Sequence, residues 1–231
     1  MAEGLQRDKA GEANSVDLRS LATAAPEGDS CDDDLQFRES LGRLLRSVGL
    51  KPLLFASVAD YVGAELPDAP TCLVVDVRLP GRSGLDFQRD LTAAGVSLPI
   101  VFITGYGDIP MSVQAMKAGA IEFLTKPLRD QDLLDAVNTG LARDRAQRET
   151  DEDLNALRAR LAVLTDRERA IMLQVVTGRL NKQIAGEMGI TETTVKVHRS
   201  NMMRKVKAAS LAELCRMADK LGLVSARSSD S

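Results

Sequence analysis

The 231 residues are 44% hydrophobic and 27% charged, an ordinary globular balance on a chain long enough for one good core and a second small one. Aromatic residues make up 3% and there is no tryptophan, so both cores must be built mainly from Leu, Val, Ile, Ala and Met. The net charge is −3, but residues 165–224 hold 11 Lys/Arg against 6 Asp/Glu while the remainder sums to −8, which directs the last part alone toward an anionic polymer. Three scattered cysteines, Cys31, Cys72 and Cys215, form no CxxC pair. They argue against a disulfide framework or a zinc site and suit idle thiols in a reducing cytoplasm. No apolar run approaches the roughly 20 residues of a membrane span, and the polar N-terminus has no apolar stretch of the kind a signal peptide needs.

Residues 1–30 are polar, small and acidic without a period, the composition of a disordered extension. From Leu35 apolar residues recur mostly at three- and four-residue steps (Phe37, Leu41, Leu44, Leu45, Val48) until Gly49, which predicts a helix. A short apolar run at 53–56 precedes a helical stretch at 58–66. Residues 72–77 (CLVVDV), 99–104 (PIVFIT) and 120–124 are apolar runs, interleaved with helical stretches at 84–94, 109–118 and 128–141. Strands apolar on both faces belong in a parallel sheet covered by helices. In such sheets the chemistry sits at the carboxyl ends of the strands, and these runs deliver Asp76, Thr104 and Lys126 there. Residues 142–164 are charge-rich, lack Pro and Gly, and read as a helical linker; after Thr165 only helices are expected.

Asp32, Asp33 and Asp34 precede the first helix. Alone, such a run is a solvated turn that caps a helix. Together with Asp76 it makes a set of hard oxygen ligands for Mg²⁺, which offsets the repulsion of the carboxylates and the charge of an incoming phosphoryl group. Lys126 adds a positive point charge for the same oxygens, Thr104 a hydroxyl, and Asp76 a nucleophile.

The succession DDD, VDVRLPGRSGLD, FITGYGD and AMKAGAIEFLTKP resembles response-regulator receivers of the FixJ type over residues 31–140. The resemblance implies a doubly wound, five-stranded parallel sheet of order 2-1-3-4-5. It implies Asp76 as phosphoacceptor, Asp32 and Asp33 as the metal-binding pair, and Arg78 as the position whose backbone carbonyl completes the metal site. Thr104 and Phe123 correspond to the switch positions and Lys126 to the phosphate-binding lysine, with a cis Lys126-Pro127 bond. Phosphatases and mutases that form an aspartyl phosphate carry a second Asp two residues on. Here Arg78 stands at that position, which leaves them without an acid/base.

The chain departs from these receivers at the first strand. The residues before the acidic pair, Pro26 to Cys31, include a proline without a ladder donor and poor strand formers. Upstream, residues 15–21 alternate in polarity and 22–25 are too few. A poorly formed central strand predicts weak Mg²⁺ binding, a low melting temperature and fast amide exchange over 26–57. It also opens a rival reading: a DNA-binding protein whose degenerate receiver is only a protein-interaction platform.

At the basic end, Thr165 and Glu168 make a capping box, followed by a helix to about Val176 and a stop at Gly178. A second helix runs from near Asn181 to a turn at Gly189-Ile190-Thr191, where Gly189 suits the left-handed conformation and Thr191 caps the next helix. That third helix carries Lys196, Arg199, Arg204, Lys205 and Lys207, with no acid from Thr193 to Lys207. Two short helices joined by a tight turn, the second basic, describe a helix-turn-helix. Val195 and Met202 are expected in the core. Lys182, Thr193, Thr194, Lys196, Val197, Arg199, Ser200, Arg204 and Lys205 are the candidate DNA contacts. If all five cations of the third helix met phosphates, log K would fall against log salt with a slope of about −4 to −5. His198 is read as a packing or phosphate-facing residue, not a catalyst. Residues 160–222 (LTDRE, LNKQIAGEMGITETTVKVHRSNMMRKV, SLAEL) resemble LuxR-type DNA-binding domains, which implies four helices with the third in the major groove.

The combined expectation is a disordered extension (1–30), a receiver (31–140), a helical linker (141–164) and an all-α helix-turn-helix domain (165–224). The expected activity is that of a cytoplasmic, non-enzymatic transcription factor switched by aspartyl phosphorylation from a sensor histidine kinase. Its expected partners are Mg²⁺, DNA and, once phosphorylated, a second copy of itself through residues 109–125.

Overall fold

The computed structural model describes residues 17–21, 31–65, 68–79, 82–105 and 109–223, without the side chains of 17–21, 31–34 and 82. Five parallel strands form one sheet: β1 (Asp17–Leu21), β2 (Lys51–Phe55), β3 (Thr71–Asp76), β4 (Ile100–Thr104) and β5 (Glu122–Thr125), in the order 2-1-3-4-5. Around it lie α1 (Cys31–Ser47), α2 (Val58–Gly63), α3 (Gly84–Ala93), α4 (Ile109–Lys117) and the 33-residue α5 (Asp130–Ala162). A two-residue antiparallel pair, Arg78–Leu79 with Arg82–Ser83, follows β3. The remaining helices are α6 (Asp166–Val176), α7 (Asn181–Met188), α8 (Glu192–Val206) and α9 (Leu211–Lys220). Two compact units divide between Arg148 and Glu149. The helix expected at 128–141 and the linker expected after it are therefore one continuous helix, because no Gly or Pro interrupts residues 141–162.

The central strand is not where its composition was sought. Asp17–Leu21, within the stretch expected to be disordered and discounted for its alternating polarity, pairs on both sides: Leu21 aligns with Phe55 of β2 and with Val75 of β3. The other residues of 1–30 lie outside the described ones. Parallel ladders are built from backbone groups, so a polar segment can occupy the slot if it reaches it. The cost of closing a longer connection rises only logarithmically with length. Cys31 opens a helix and so cannot end a strand. β2 thus has the neighbour that the sequence argument denied it.

β3 and β4 obey the expected two-sided burial. Cys72, Val74, Val101 and Ile103 pack with Leu41 and Leu45 of α1 and Leu133, Val137 and Leu141 of α5. Leu73, Val75, Ile100 and Phe102 pack with Tyr61 of α2, Leu85 and Phe87 of α3 and Ala115 of α4. Each Leu, Val, Ile or Phe among them contributes roughly 1.5–3 kcal/mol on full burial. At the amino end of β3, buried Asp144 of α5 accepts from the Thr71 amide (2.8 Å) and the Arg148 guanidinium (2.8 Å). Burial, reinforced by Asp144, pushes the Cys72 thiol up to about 12, which makes it inert. In the second unit, Ile171, Met172 and Val175 of α6, Ile184 of α7, Val195, Met202 and Val206 of α8 and Leu214 of α9 form one core.

Candidate functional site

Asp76, Thr104 and Lys126 come together because they end or follow three adjacent strands in register. Asp76 stands opposite Ile103 and Thr104 opposite Thr125. Beyond the strands, the Val77 amide donates to the Ile103 carbonyl (3.0 Å) and the Lys126 amide to the Thr104 carbonyl (2.8 Å), which extends the ladder past the polar residues. The Asp76 carboxylate is then held at both oxygens: Oδ1 accepts from the Arg78 amide (2.9 Å) and Oδ2 from Lys126 Nζ (2.9 Å). Its side chain keeps 14% exposure and that of Lys126 26%, so solvent reaches the pair. Lys126 Nζ also lies 4.1 Å from the centroid of the Phe37 ring on α1, a cation–π contact. The Lys126-Pro127 bond is cis, as the resemblance implies.

Thr104 is buried. Phe123 is half-buried, with its ring centroid 6.4 Å from that of Phe102. Arg78 is exposed and begins the short antiparallel pair. Asp32 and Asp33 lie in the first turn of α1, but their side chains are outside the described residues. Among the described residues no group of three or more acids, histidines or cysteines could hold a metal ion.

Two contributors to this site escaped the sequence argument. Phe37 counts there only as one position of an apolar helical face. Gly84 lies against the end of β3: a β-carbon on it would sit 2.5 Å from the Asp76 carbonyl oxygen and 3.0 Å from Val75 Cγ1. Its amide donates to the Val77 carbonyl (2.8 Å), so glycine lets the start of α3 close onto the segment carrying Asp76. The signal was present as a glycine between a strand and a helix, a mark of close backbone approach.

In the second unit the turn between α7 and α8 has the predicted chemistry. Gly189 is left-handed at φ 64°, and Thr191 Oγ1 accepts from the Thr194 amide at 3.1 Å. The capping box at Thr165 and Glu168 is formed. Thr193, Lys196, Val197, Ser200 and Arg204 on α8 and Lys182 on α7 are exposed, while Val195 and Met202 are buried. His198 and Thr194 are half-buried, and the Thr194 hydroxyl lies 2.9 Å from that of Thr191. Arg199 and Lys205 are half-buried and turn inward. Arg199 donates to Asn181 Oδ1 (2.6 Å), and Lys205 donates to Glu168 Oε2 (2.6 Å). The Lys205 ammonium, with the Thr165 amide, holds the Glu168 carboxyl down at about 2.

Comparison with known proteins places both units. Residues 30–138 match the response regulator receiver domain, and residues 162–218 match the bacterial regulatory proteins of the luxR family. Nodulation protein W of Bradyrhizobium diazoefficiens is 50% identical over 192 residues, 83% of this chain and 85% of that protein. Response regulator protein TodT of Pseudomonas putida is 44% identical over 88% of this chain and 90% of its own. Transcriptional regulatory protein FixJ of Rhizobium meliloti is 40% identical over 81% and 92%. The low-resolution structure of response regulator StyR superposes with a TM-score of 0.75 at 42% identity, covering 90% of this chain and 100% of that one. The receiver match begins at residue 30, after β1.

Proposed function

Since the chain belongs to the response regulators that join a receiver domain to a LuxR-type DNA-binding domain, we propose that Asp76 accepts a phosphoryl group from a sensor histidine kinase and that this controls how α8 engages DNA. The observation that carries the reading is the Asp76 carboxylate, exposed to solvent and held between the Arg78 amide and Lys126 Nζ at the carboxyl ends of three strands. An Asp76 oxygen attacks the phosphorus of the donor, a P–O bond forms, and the donor's bond to phosphorus breaks with its electron pair leaving on the donor. Lys126 releases part of its hold on Asp76 and meets the phosphoryl oxygens. The chain modifies itself and turns over no separate substrate.

In this reading Asp32 and Asp33 supply carboxylates beside that of Asp76 and the Arg78 carbonyl, and such hard oxygens fit Mg²⁺. When bound, Mg²⁺ neutralises charge on the carboxylates and the phosphoryl group. The Thr104 hydroxyl and Phe123 ring transmit the change to α4. Ile109, Val113 and Met116 on that helix are 79%, 44% and 45% exposed, an apolar face that supports phosphorylation-dependent pairing of two copies through residues 109–125. A two-fold pair can set its recognition helices one DNA turn apart, roughly 34 Å. No described helix is long and apolar enough to cross a membrane, and the reading places the protein in the cytoplasm with its kinase and DNA.

Incubation with labelled acetyl phosphate and Mg²⁺ tests the assignment. The natural protein takes up label and Asp76→Ala takes up none. Stoichiometric labelling of Asp76→Ala would sink it.

A further inference from the structure

The recognition helix and its C-cap residue Lys207 carry five cations, but these do not face the same way. Val195, Met202 and Val206 form the fully buried stripe of α8, and Lys196, Arg204 and Lys207 are exposed. Arg199 and Lys205 flank the stripe on opposite sides, since at 100° per residue they fall about 40° and 80° from Val195 in opposite senses. Arg199 reaches α7 at Asn181, and Lys205 reaches α6 at Glu168. Both acceptors sit in the first turn of their own helix. Glu168 is 4% exposed, and its Oε2 gathers the Thr165 amide (2.9 Å), the Thr165 hydroxyl (3.0 Å) and Lys205 Nζ (2.6 Å).

We infer that Arg199 and Lys205 are positioning residues that pin the recognition helix to its two neighbours, with Asn181 and Glu168 as the anchors, and that of these five cations only Lys196, Arg204 and Lys207 neutralise DNA phosphates. This rests on the DNA-binding reading above. A fully buried stripe prevents α8 from leaving the core but resists rotation about its own axis weakly. One polar tie on each flank fixes that rotation, and rotation decides which side chains reach base edges. The charge of Lys205 is already matched by a carboxylate, so little counterion release is left for it on DNA.

The test is the affinity of the full chain for a mixed-sequence 30-base-pair duplex, measured by anisotropy across a salt series, with circular dichroism at the assay temperature confirming that each variant is folded. Arg204→Met makes the slope of log K against log salt shallower by about 0.9. Lys205→Met and Arg199→Met leave the slope as in the natural protein and lower affinity by about tenfold at every salt concentration, the cost of losing a charged hydrogen bond. Lys205→Arg restores the affinity. Asn181→Ala reproduces Arg199→Met, and the double variant is no weaker than either single one. The half-buried pair Asn181–Arg199 keeps the test valid if changes at buried Glu168 disturb folding. Slopes shallower by about 0.9 for Lys205→Met and Arg199→Met, or additive losses in the Asn181–Arg199 cycle, overturn the inference while leaving DNA binding intact. Binding by the natural protein that ignores salt overturns the DNA reading itself, and the inference with it.

Discussion

Each half of the molecule holds a largely buried carboxylate against a lysine, and these two pairs are built for opposite ends. In the receiver, Asp76 meets Lys126 at 2.9 Å, with the Arg78 amide on one oxygen, Lys126 on the other, and 14% of the carboxylate side chain exposed. In the DNA-binding domain, Glu168 meets Lys205 at 2.6 Å, with three donors on one oxygen and 5% exposure. A carboxylate with spare lone pairs facing solvent can still attack an electrophile or bind a cation. One saturated by its own capping box is spent on structure. The ion pair alone therefore does not mark a functional site; the donor count and the open side do.

The comparison can be broken most severely by removing what holds Asp76 in place. β3 lies between β1 and β4, whereas Glu168 depends on no strand. Deletion of residues 1–22 removes β1, and the receiver then loses its cooperative melting transition and the amide protection of β2 and β3. The DNA-binding domain melts as before. Calorimetry with hydrogen exchange checks this, and an unchanged receiver transition would show that β1 does not hold the sheet.

A gentler break is Gly84→Ala, which forces a methyl against the Asp76 carbonyl. Overpacking of this kind costs about 1–3 kcal/mol, and the displaced strand end slows phosphorylation by acetyl phosphate. Denaturant melts and labelling rates read the two effects; wild-type values for both would remove Gly84 from the site.

The smallest effect concerns pH. The folded Glu168 carboxyl lies at about 2, below its ordinary value of 4.5. A depressed folded value means that its contribution to stability is fully present above about 4.5 and fades as pH falls toward 2. Between those values the DNA-binding domain loses stability more steeply in the natural protein than in Glu168→Gln. Equal slopes of stability against pH in the two proteins would mean that the Lys205 contact does not set this carboxyl.

Much of the fold was legible because its signals are short-range. Apolar runs ending in Asp76 and Thr104 announce buried parallel strands, and the Thr165–Glu168 spacing announces a cap. Gly189 before Thr191 announces the turn of the helix-turn-helix. The site residues Asp76, Thr104 and Lys126 were legible for the same reason, since each closes or follows a recognisable run.

Tertiary structure alone decided the rest. The polar segment Asp17–Leu21 became the central strand because its backbone groups fit between β2 and β3, and backbone pairing leaves little trace in composition. Lys205 and Arg199 look like any other cation on a basic helix until α6 and α7 bring Glu168 and Asn181 to them, across separations of 37 and 18 residues. Residue type and period by themselves determined most of the elements and the edge of the sheet that gathers Asp76, Thr104 and Lys126, because those depend on neighbours a few residues away. Which strand fills the centre, and which lysine is spent on holding the fold, depends on partners that only the closed chain supplies.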